Sequence, residues 1–280
     1  MSSNLEKKYP SKILLIGEYA VLYGGQALSI PNWDYFGSWK FGENTFPSLM
    51  SLLEFLNSNS KLKSVLNLEA FRQDIEKSIH FNSNISFGYG LGSSGVLTAA
   101  IYDRYCTEVG DDLMSIRNQL ADIESFFHGS SSGLDPLVSY TAKVVVSDQS
   151  NCSMLEDINP FISDYYKLSL IDSGLTRNTR LLVQKFQNLM SDSEFKNGYF
   201  NEIMKINSLT IQSILEKDHL QFMNAWKELS KKSLYYFENM IPMEILKIWK
   251  EGIESEKFYL KLCGAGGGGL FLKMEPQPLF

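Results

Sequence analysis

A glycine-rich turn carrying two serines and, further along, a pair of carboxylates separated by a short loop hold the most explicit chemistry in this sequence. The turn is Gly88-Tyr89-Gly90-Leu91-Gly92-Ser93-Ser94-Gly95, set between a short apolar run and a stretch free of Gly and Pro. At such a junction the backbone N–H groups and the dipole of the following helix can hold a phosphate group. Glycines let the backbone approach closely, and the Ser94 hydroxyl could reach Mg²⁺, a hard cation that takes oxygen ligands. The carboxylates belong to Glu124-x-x-x-His128-Gly129-x-x-Ser132-Gly133-x-Asp135. Glu124 falls on a helix and could ligate a metal, whereas Asp135 could accept or orient the proton of a substrate hydroxyl. Each has an ordinary alternative: a solvated acid for Glu124, and a helix cap before Pro136 for Asp135. Their closeness in sequence to the glycine-rich turn favours the chemical reading. His128 reads as a packed or capping residue.

Two other motifs overlap these residues. Gly90, Gly92 and Gly95 satisfy the G-x-G-x-x-G of a dinucleotide-binding fold, which demands alternating strands and helices afterwards. Here helix, loop and helix follow instead. Gly129-Ser130-Ser131-Ser132-Gly133 satisfies the G-x-S-x-G of a serine hydrolase, with Asp135 or Asp172 and His219 as partners. That elbow must follow a strand, whereas an amphipathic helix runs directly into Gly129. A further glycine run, Gly264-Ala265-Gly266-Gly267-Gly268-Gly269, would read as a linker by composition. Only eleven residues follow it, beginning with apolar Leu270-Phe271-Leu272, so a strand-loop-strand unit binding phosphate, or a tight backbone crossing, fits better.

The elements around these residues follow from periodicity. Ile13–Ile16 and Ala27–Ile30 read as strands, the second stopped by Pro31-Asn32. Leu49, Leu52, Leu53, Leu56 and Leu62 predict an amphipathic helix over 46–66, interrupted around 57–60. A short strand over 84–87 leads into the turn, and a helix starts at the serines. Leu113, Ile116, Leu120, Ile123 and Phe127 predict a helix capped by Asp111 or Asp112 and closed at Gly129. Strands are expected over 143–147 and 167–172, then helices over 178–190, 200–215 and 220–234. Two terminal strands flank the last glycine run.

The chain has 280 residues, enough for two modest domains, with the boundary expected near 165. With 44% hydrophobic and 21% charged residues it can bury a core. A net charge of -6 provides no basic footprint for nucleic acid or an anionic membrane, so an anionic ligand needs a local site. Cys106, Cys152 and Cys263 lack metal-type spacing and fit a reducing compartment. The polar opening and the lack of roughly 18 uninterrupted apolar residues point to a cytoplasmic protein. Its partner is expected to be a small molecule, and a homodimer is compatible with the sequence.

Lys12-Ile13-Leu14-Leu15-Ile16-Gly17-Glu18-Tyr19-Ala20-Val21-Leu22-Tyr23-Gly24, then Gly90 to Ser94, then Cys263 to Gly269 together resemble the three ordered motifs of the GHMP kinases. Within that family, Glu124 to Asp135 and Asp172-Ser173-Gly174-Leu175-Thr176-Arg177-Asn178-Thr179 are most similar to the mevalonate kinases. The resemblance spans nearly the whole chain. It implies an α+β, two-domain fold: an N-terminal domain similar to ribosomal protein S5 domain 2 over 1–165, and a ferredoxin-like C-terminal domain over 166–280. ATP would lie between them. The implied activity is ATP- and Mg²⁺-dependent phosphorylation of a small-molecule alcohol, mevalonate to 5-phosphomevalonate in isoprenoid biosynthesis.

By the same resemblance Gly90, Leu91, Gly92, Ser93, Ser94 and Gly95 would wrap the phosphates, and Ser94 with Glu124 would hold Mg²⁺. Asp135 would contact the attacking hydroxyl, with Lys12 beside it keeping the carboxylate ionised and favouring the developing alkoxide. Glu18, Thr179, Gly266 and Gly267 would line the site. The chemistry agrees, because phosphoryl transfer needs mainly positioning and charge neutralisation. The chain carries no Walker A lysine motif and no protein-kinase H-R-D and D-F-G pair. It departs from the family at Ser86, where proline is usual, at Gly95, where alanine is usual, and at Tyr19, where mevalonate kinases commonly carry histidine. Alternatives are a sibling kinase acting on phosphomevalonate, a sugar or homoserine, and a catalytically silent ATP-binding sensor. Asp135 paired with Lys12 argues against siblings without a carboxylate base, and the retention of Lys12, Ser94, Glu124 and Asp135 argues against the sensor.

Overall fold

A computed structural model describes residues 6–42, 47–85, 90–156 and 158–277. The start of the polar opening, Phe46, and Ser86 to Tyr89 lie outside the described residues, and with them half of the strand expected over 84–87 and the first two residues of the glycine-rich turn. The chain forms β1 (Tyr9–Ile16), β2 (Ala27–Phe41), α1 (Pro47–Ser58), α2 (Ser60–Val65), α3 (Leu68–Glu76), β3 (Ile79–Ser83), α4 (Ser93–Tyr105), α5 (Leu113–His128) and α6 (Leu134–Thr141). There follow β4 (Val144–Ser147), β5 (Cys152–Leu155), α7 (Asn159–Ser163), β6 (Tyr166–Asp172), α8 (Thr179–Leu189), α9 (Ser193–Tyr199), α10 (Lys205–Leu215), α11 (His219–Phe237), α12 (Met243–Ser255), β7 (Tyr259–Leu262) and β8 (Leu270–Pro276).

The strands form two antiparallel sheets, β1-β2-β4-β5 with β3 on the far end of β2, and β6-β8-β7. Side chains alternate across a strand, and the first sheet uses this to serve two cores. Ile13, Leu15, Leu28, Ile30, Val144 and Val146 face a core built with Phe186, Tyr199, Phe222, Trp226 and Trp249 from the later helices. Tyr9, Ala27 and Val145 face the other core, with Trp39, Phe71, Val96, Ile101 and Ile123. Burying Ile13 and Leu15 on one face therefore turns Lys12 to the other, where α4 and α6 pack.

β2 runs through Pro31 to Phe41, past the expected stop. Lys12 pairs with Pro31, and the Lys12 N–H points away from β2 to the Leu91 carbonyl at 3.4 Å. The pair is thus non-hydrogen-bonded, and the proline nitrogen faces the side that β4 leaves open, since β4 pairs only with Ala27 to Ser29. A proline in that position costs no ladder bond.

Capping explains the helices around the site. Asp112 accepts from the Ser115 N–H at 2.7 Å to start α5, and Gly129 closes it in a left-handed conformation, φ 75°. Asn59 caps α2 and splits the predicted long helix at the expected place. The helix expected over 200–215 begins as one wide turn over Phe200–Met204 before α10. Among the described residues no helix is long and apolar enough to cross a membrane.

Candidate active site

The site assembles where β1, α4, α5 and α6 meet. Lys12 is 6% exposed, and its Nζ lies 3.0 Å from Asp135 Oδ1. Its backbone N–H holds Leu91 of the glycine-rich turn, so one residue ties the turn to β1 and reaches the α6 carboxylate. Between them passes Gly92, φ 74°, where a Cβ would stand 3.3 Å from Asp135 Oδ2 and 3.5 Å from Lys12 Cε. Ser93 is the first residue of α4, so the exposed N–H groups and positive end of that helix open beside this ion pair.

Ser94, one residue into α4, donates to Glu124 Oε1 at 3.0 Å. Ser131 donates to Glu124 Oε2 and itself accepts from the Gly133 N–H at 2.9 Å. Glu124 is 4% exposed. Burial, and then the nearby Asp135 carboxylate, push its carboxyl up to about 7, against the two serine hydroxyls and Lys12. Two mutually repelling carboxylates beside hydroxyl oxygens make an oxygen-only donor set, the kind a hard divalent cation takes. The structure therefore brings together Lys12, Leu91, Gly92, Ser93, Ser94, Glu124 and Asp135.

Gly95 sits where α4 crosses α6. A Cβ there would meet Asp135 Cβ and Pro136 N, both at 3.0 Å. The alanine usual at this position in the kinases that the sequence resembles would thus crowd the backbone that carries Asp135. We expect Gly95→Ala to cost about 1–3 kcal/mol through overpacking, measured as a lowered urea midpoint. An unchanged midpoint would mean that α4 and α6 part freely there.

The remaining candidates sit differently. Glu18 is 5% exposed and forms an ion pair with Lys261 of β7, itself 1% exposed. Burial raises the Glu18 carboxyl above its ordinary value, opposed by Lys261 and more weakly by Lys12. The Glu18 carbonyl accepts from the Tyr199 hydroxyl at 3.3 Å, and the Tyr19 hydroxyl donates to the Ala265 carbonyl at 2.7 Å. Glu18 and Tyr19 thus stitch the segment after β1 to the second sheet from behind the ion pair. In the loop between β7 and β8 the Gly267 N–H is donated to Met240 O at 2.6 Å and the Gly269 N–H to Leu175 O at 2.7 Å. A Cβ at Gly266 would meet Met240 O at 2.6 Å, and one at Gly267 would meet Leu182 at 2.6 Å. Gly266 and Gly267 therefore serve a tight backbone crossing. Thr179 opens α8 and is exposed.

Arg177 carries no signal of a role in the sequence beyond its place in the segment Asp172 to Thr179. The guanidinium lies between two glycines: a Cβ at Gly90 would fall 2.1 Å from Nη2, and one at Gly264 would fall 2.9 Å from it. Its Nη1 is buried with no hydrogen-bond partner among the described residues. Burial lowers its proton affinity, opposed by Cys263, Asp135 and Tyr19. Lys261 and Ser131 were missed too. A lysine between Leu260 and Leu262 in an otherwise buried strand was the available signal for the first; the second stood out only as the central serine of the hydrolase-like Gly129–Gly133 pattern, which does not point to Glu124.

No family model matches the chain. It is 25% identical to mevalonate kinase of Archaeoglobus fulgidus over 97% of its own length and 94% of that protein. Its fold superimposes on the crystal structure of Methanococcus jannaschii mevalonate kinase with a TM-score of 0.67 at 20% identity, covering 99% of each chain. Streptococcus pneumoniae phosphomevalonate kinase, in complex with phosphomevalonate and AMPPNP, gives 0.66 at 14% identity, covering 97% of this chain and 92% of that one. The chain thus has the two-domain α+β fold of GHMP kinases, and the likenesses support a kinase of that group, most similar to mevalonate kinase.

Proposed function

We propose that this chain is an ATP- and Mg²⁺-dependent small-molecule kinase of the GHMP group, and that mevalonate is the alcohol it phosphorylates, yielding 5-phosphomevalonate for isoprenoid biosynthesis in the cytoplasm. The observation that carries the reading is the ion pair of buried Lys12 with half-buried Asp135, 3.0 Å long, at the N-terminal end of α4 and beside Glu124 with its two serines. In this reading residues 1–165 form the domain with the phosphate turn, 166–280 form the second domain, and ATP lies between them.

Gly90 to Gly95 and the α4 N-terminus would bind the phosphates of ATP. Asp135 would orient the acceptor hydroxyl and take its proton, while its oxygen forms a bond to the γ-phosphorus and the bond from that phosphorus to the β–γ bridging oxygen breaks, releasing ADP. Lys12, 3.0 Å from Asp135 Oδ1, would stabilise negative charge on the attacking oxygen. Glu124 and Ser94, with Ser131 behind them, would hold Mg²⁺. When bound, Mg²⁺ supplies charge neutralisation to the phosphates.

Mevalonate is favoured over neutral alcohols by Arg177. A guanidinium beside Gly90 whose buried Nη1 has no hydrogen-bond partner among the described residues fits an acceptor carrying its own anionic group, because a buried donor left without a partner is costly. Arg177 would read the carboxylate. The same charge fits the phosphate of phosphomevalonate, which is the second reading. Coupled ADP release with mevalonate, phosphomevalonate, galactose and homoserine tests both: the fastest turnover is expected with mevalonate, and preference for another acceptor would replace the substrate. Arg177→Met is expected to raise KM for mevalonate about 10- to 100-fold, the worth of one charge-assisted hydrogen bond. An unchanged KM would remove Arg177 from acceptor binding.

A further inference from the structure

Arg117 lies on α5 seven residues before Glu124, two helical turns away on the same face. The loop over residues 130–133 folds back along that face. Its Ser131 hydroxyl reaches Glu124, and at Gly133, φ 71°, a Cβ would stand 2.2 Å from the Arg117 carbonyl oxygen and 3.1 Å from Ala121 Cβ. Only a glycine lets the backbone lie this close. Arg117 then grips the loop from the side. Its Nε donates to the Ser132 carbonyl at 2.7 Å, while Nη1 donates to Ser147 Oγ at 2.6 Å and to the Asp148 carbonyl at 2.8 Å. These hydrogen bonds go to a carbonyl of the loop and to the end of β4, so the guanidinium's fixed fork joins two backbone segments. One of them ends, at Gly133, in the first turn of α6 with Asp135.

We propose that Arg117 is a positioning residue for phosphoryl transfer: by clamping Ser132 to the end of β4, it sets the loop that holds Ser131 against Glu124 and aims Asp135 at Lys12. The proposal rests on the kinase reading. It predicts that loosening the clamp affects the chemical step and the metal requirement rather than the binding of substrates, since Arg117 stands behind the loop. A lysine cannot span both acceptors, because its ammonium is a point charge without the planar fork.

The test compares Arg117→Ala and Arg117→Lys with the unaltered protein, each first shown to be folded by urea unfolding. For both variants kcat is expected about 10- to 100-fold lower, the size of effect expected from misplacing a reacting group. The Mg²⁺ concentration for half-maximal rate should rise, KM for ATP should change little, and added guanidinium ion should restore rate to Arg117→Ala. A loss confined to stability, with kcat and Mg²⁺ dependence unchanged in the folded variant, overturns the proposal. If the unaltered protein turns over no acceptor, the kinase reading fails separately. The Mg²⁺ dependence of binding a fluorescent ATP analogue then tests the clamp: weaker dependence in both variants supports it, and identical dependence overturns it.

Discussion

Asp135→Asn should cost about 10²- to 10⁴-fold in kcat, the usual worth of a positioned general base, while KM for ATP stays close to its original value. The substitution keeps the shape of the side chain and removes its charge, so Lys12 loses the partner 3.0 Å away and the acceptor hydroxyl loses its proton acceptor. Stability should change far less than activity, because the Asp135 side chain is 33% exposed and water can reach that end of the pair. Asp135→Ala adds a second signature, since it empties the space against which Gly92 and Gly95 pack. A coupled ADP assay beside nucleotide titration checks this. Asp135→Asn with near-normal kcat would leave the carboxylate as a helix-start residue and nothing more.

Lys261→Met should have the largest effect on folding. Glu18 and Lys261 are 5% and 1% exposed and join the segment after β1 to β7 of the second sheet. Removing one partner leaves a buried carboxylate uncompensated, which costs about 3–5 kcal/mol. Urea unfolding should show the loss, and the double variant Glu18→Gln with Lys261→Met should recover part of it. The deficit also has a direction with pH. Without Lys261 the folded state favours neutral Glu18 more strongly, so folding takes up a proton when pH exceeds the ordinary carboxylate value of 4.5. The penalty is therefore greatest near neutral pH and shrinks as pH falls towards that value. A deficit below about 1 kcal/mol would mean that water or another cation compensates Glu18 in place of the lysine.

The distribution of what was legible in the sequence follows from the range of the interactions. The caps Asp112 and Gly129, the helix break around 57–60 and the start of α4 at Ser93 depend on neighbours a few residues away, and the chain announces them. The acids Glu124 and Asp135 stood out because of their spacing from the glycine-rich turn. Pro31 misled because its meaning depends on which strand lies on which side of β2, a fact of register that periodicity does not carry. Arg177 and Lys261 owe their importance to loops and strands far away in sequence: Arg177 to Gly90 and Gly264, Lys261 to Glu18. Gly266 and Gly267 were expected to line the site; their close approach to Met240 and Leu182 gives a packing reason for glycine there that depends on residues far away in sequence. β5 and α12 were not read from the sequence; β5 is four residues long with only its ends half-buried, too short for alternation to register.

Phosphorus NMR of the purified chain with ATP, Mg²⁺ and mevalonate tests the central claim most directly. The γ-phosphate resonance of ATP is expected to decay as ADP and a phosphomonoester of mevalonate rise in equal amounts. ATP left intact with mevalonate, phosphomevalonate, galactose and homoserine alike, or converted only to ADP and inorganic phosphate, would contradict it.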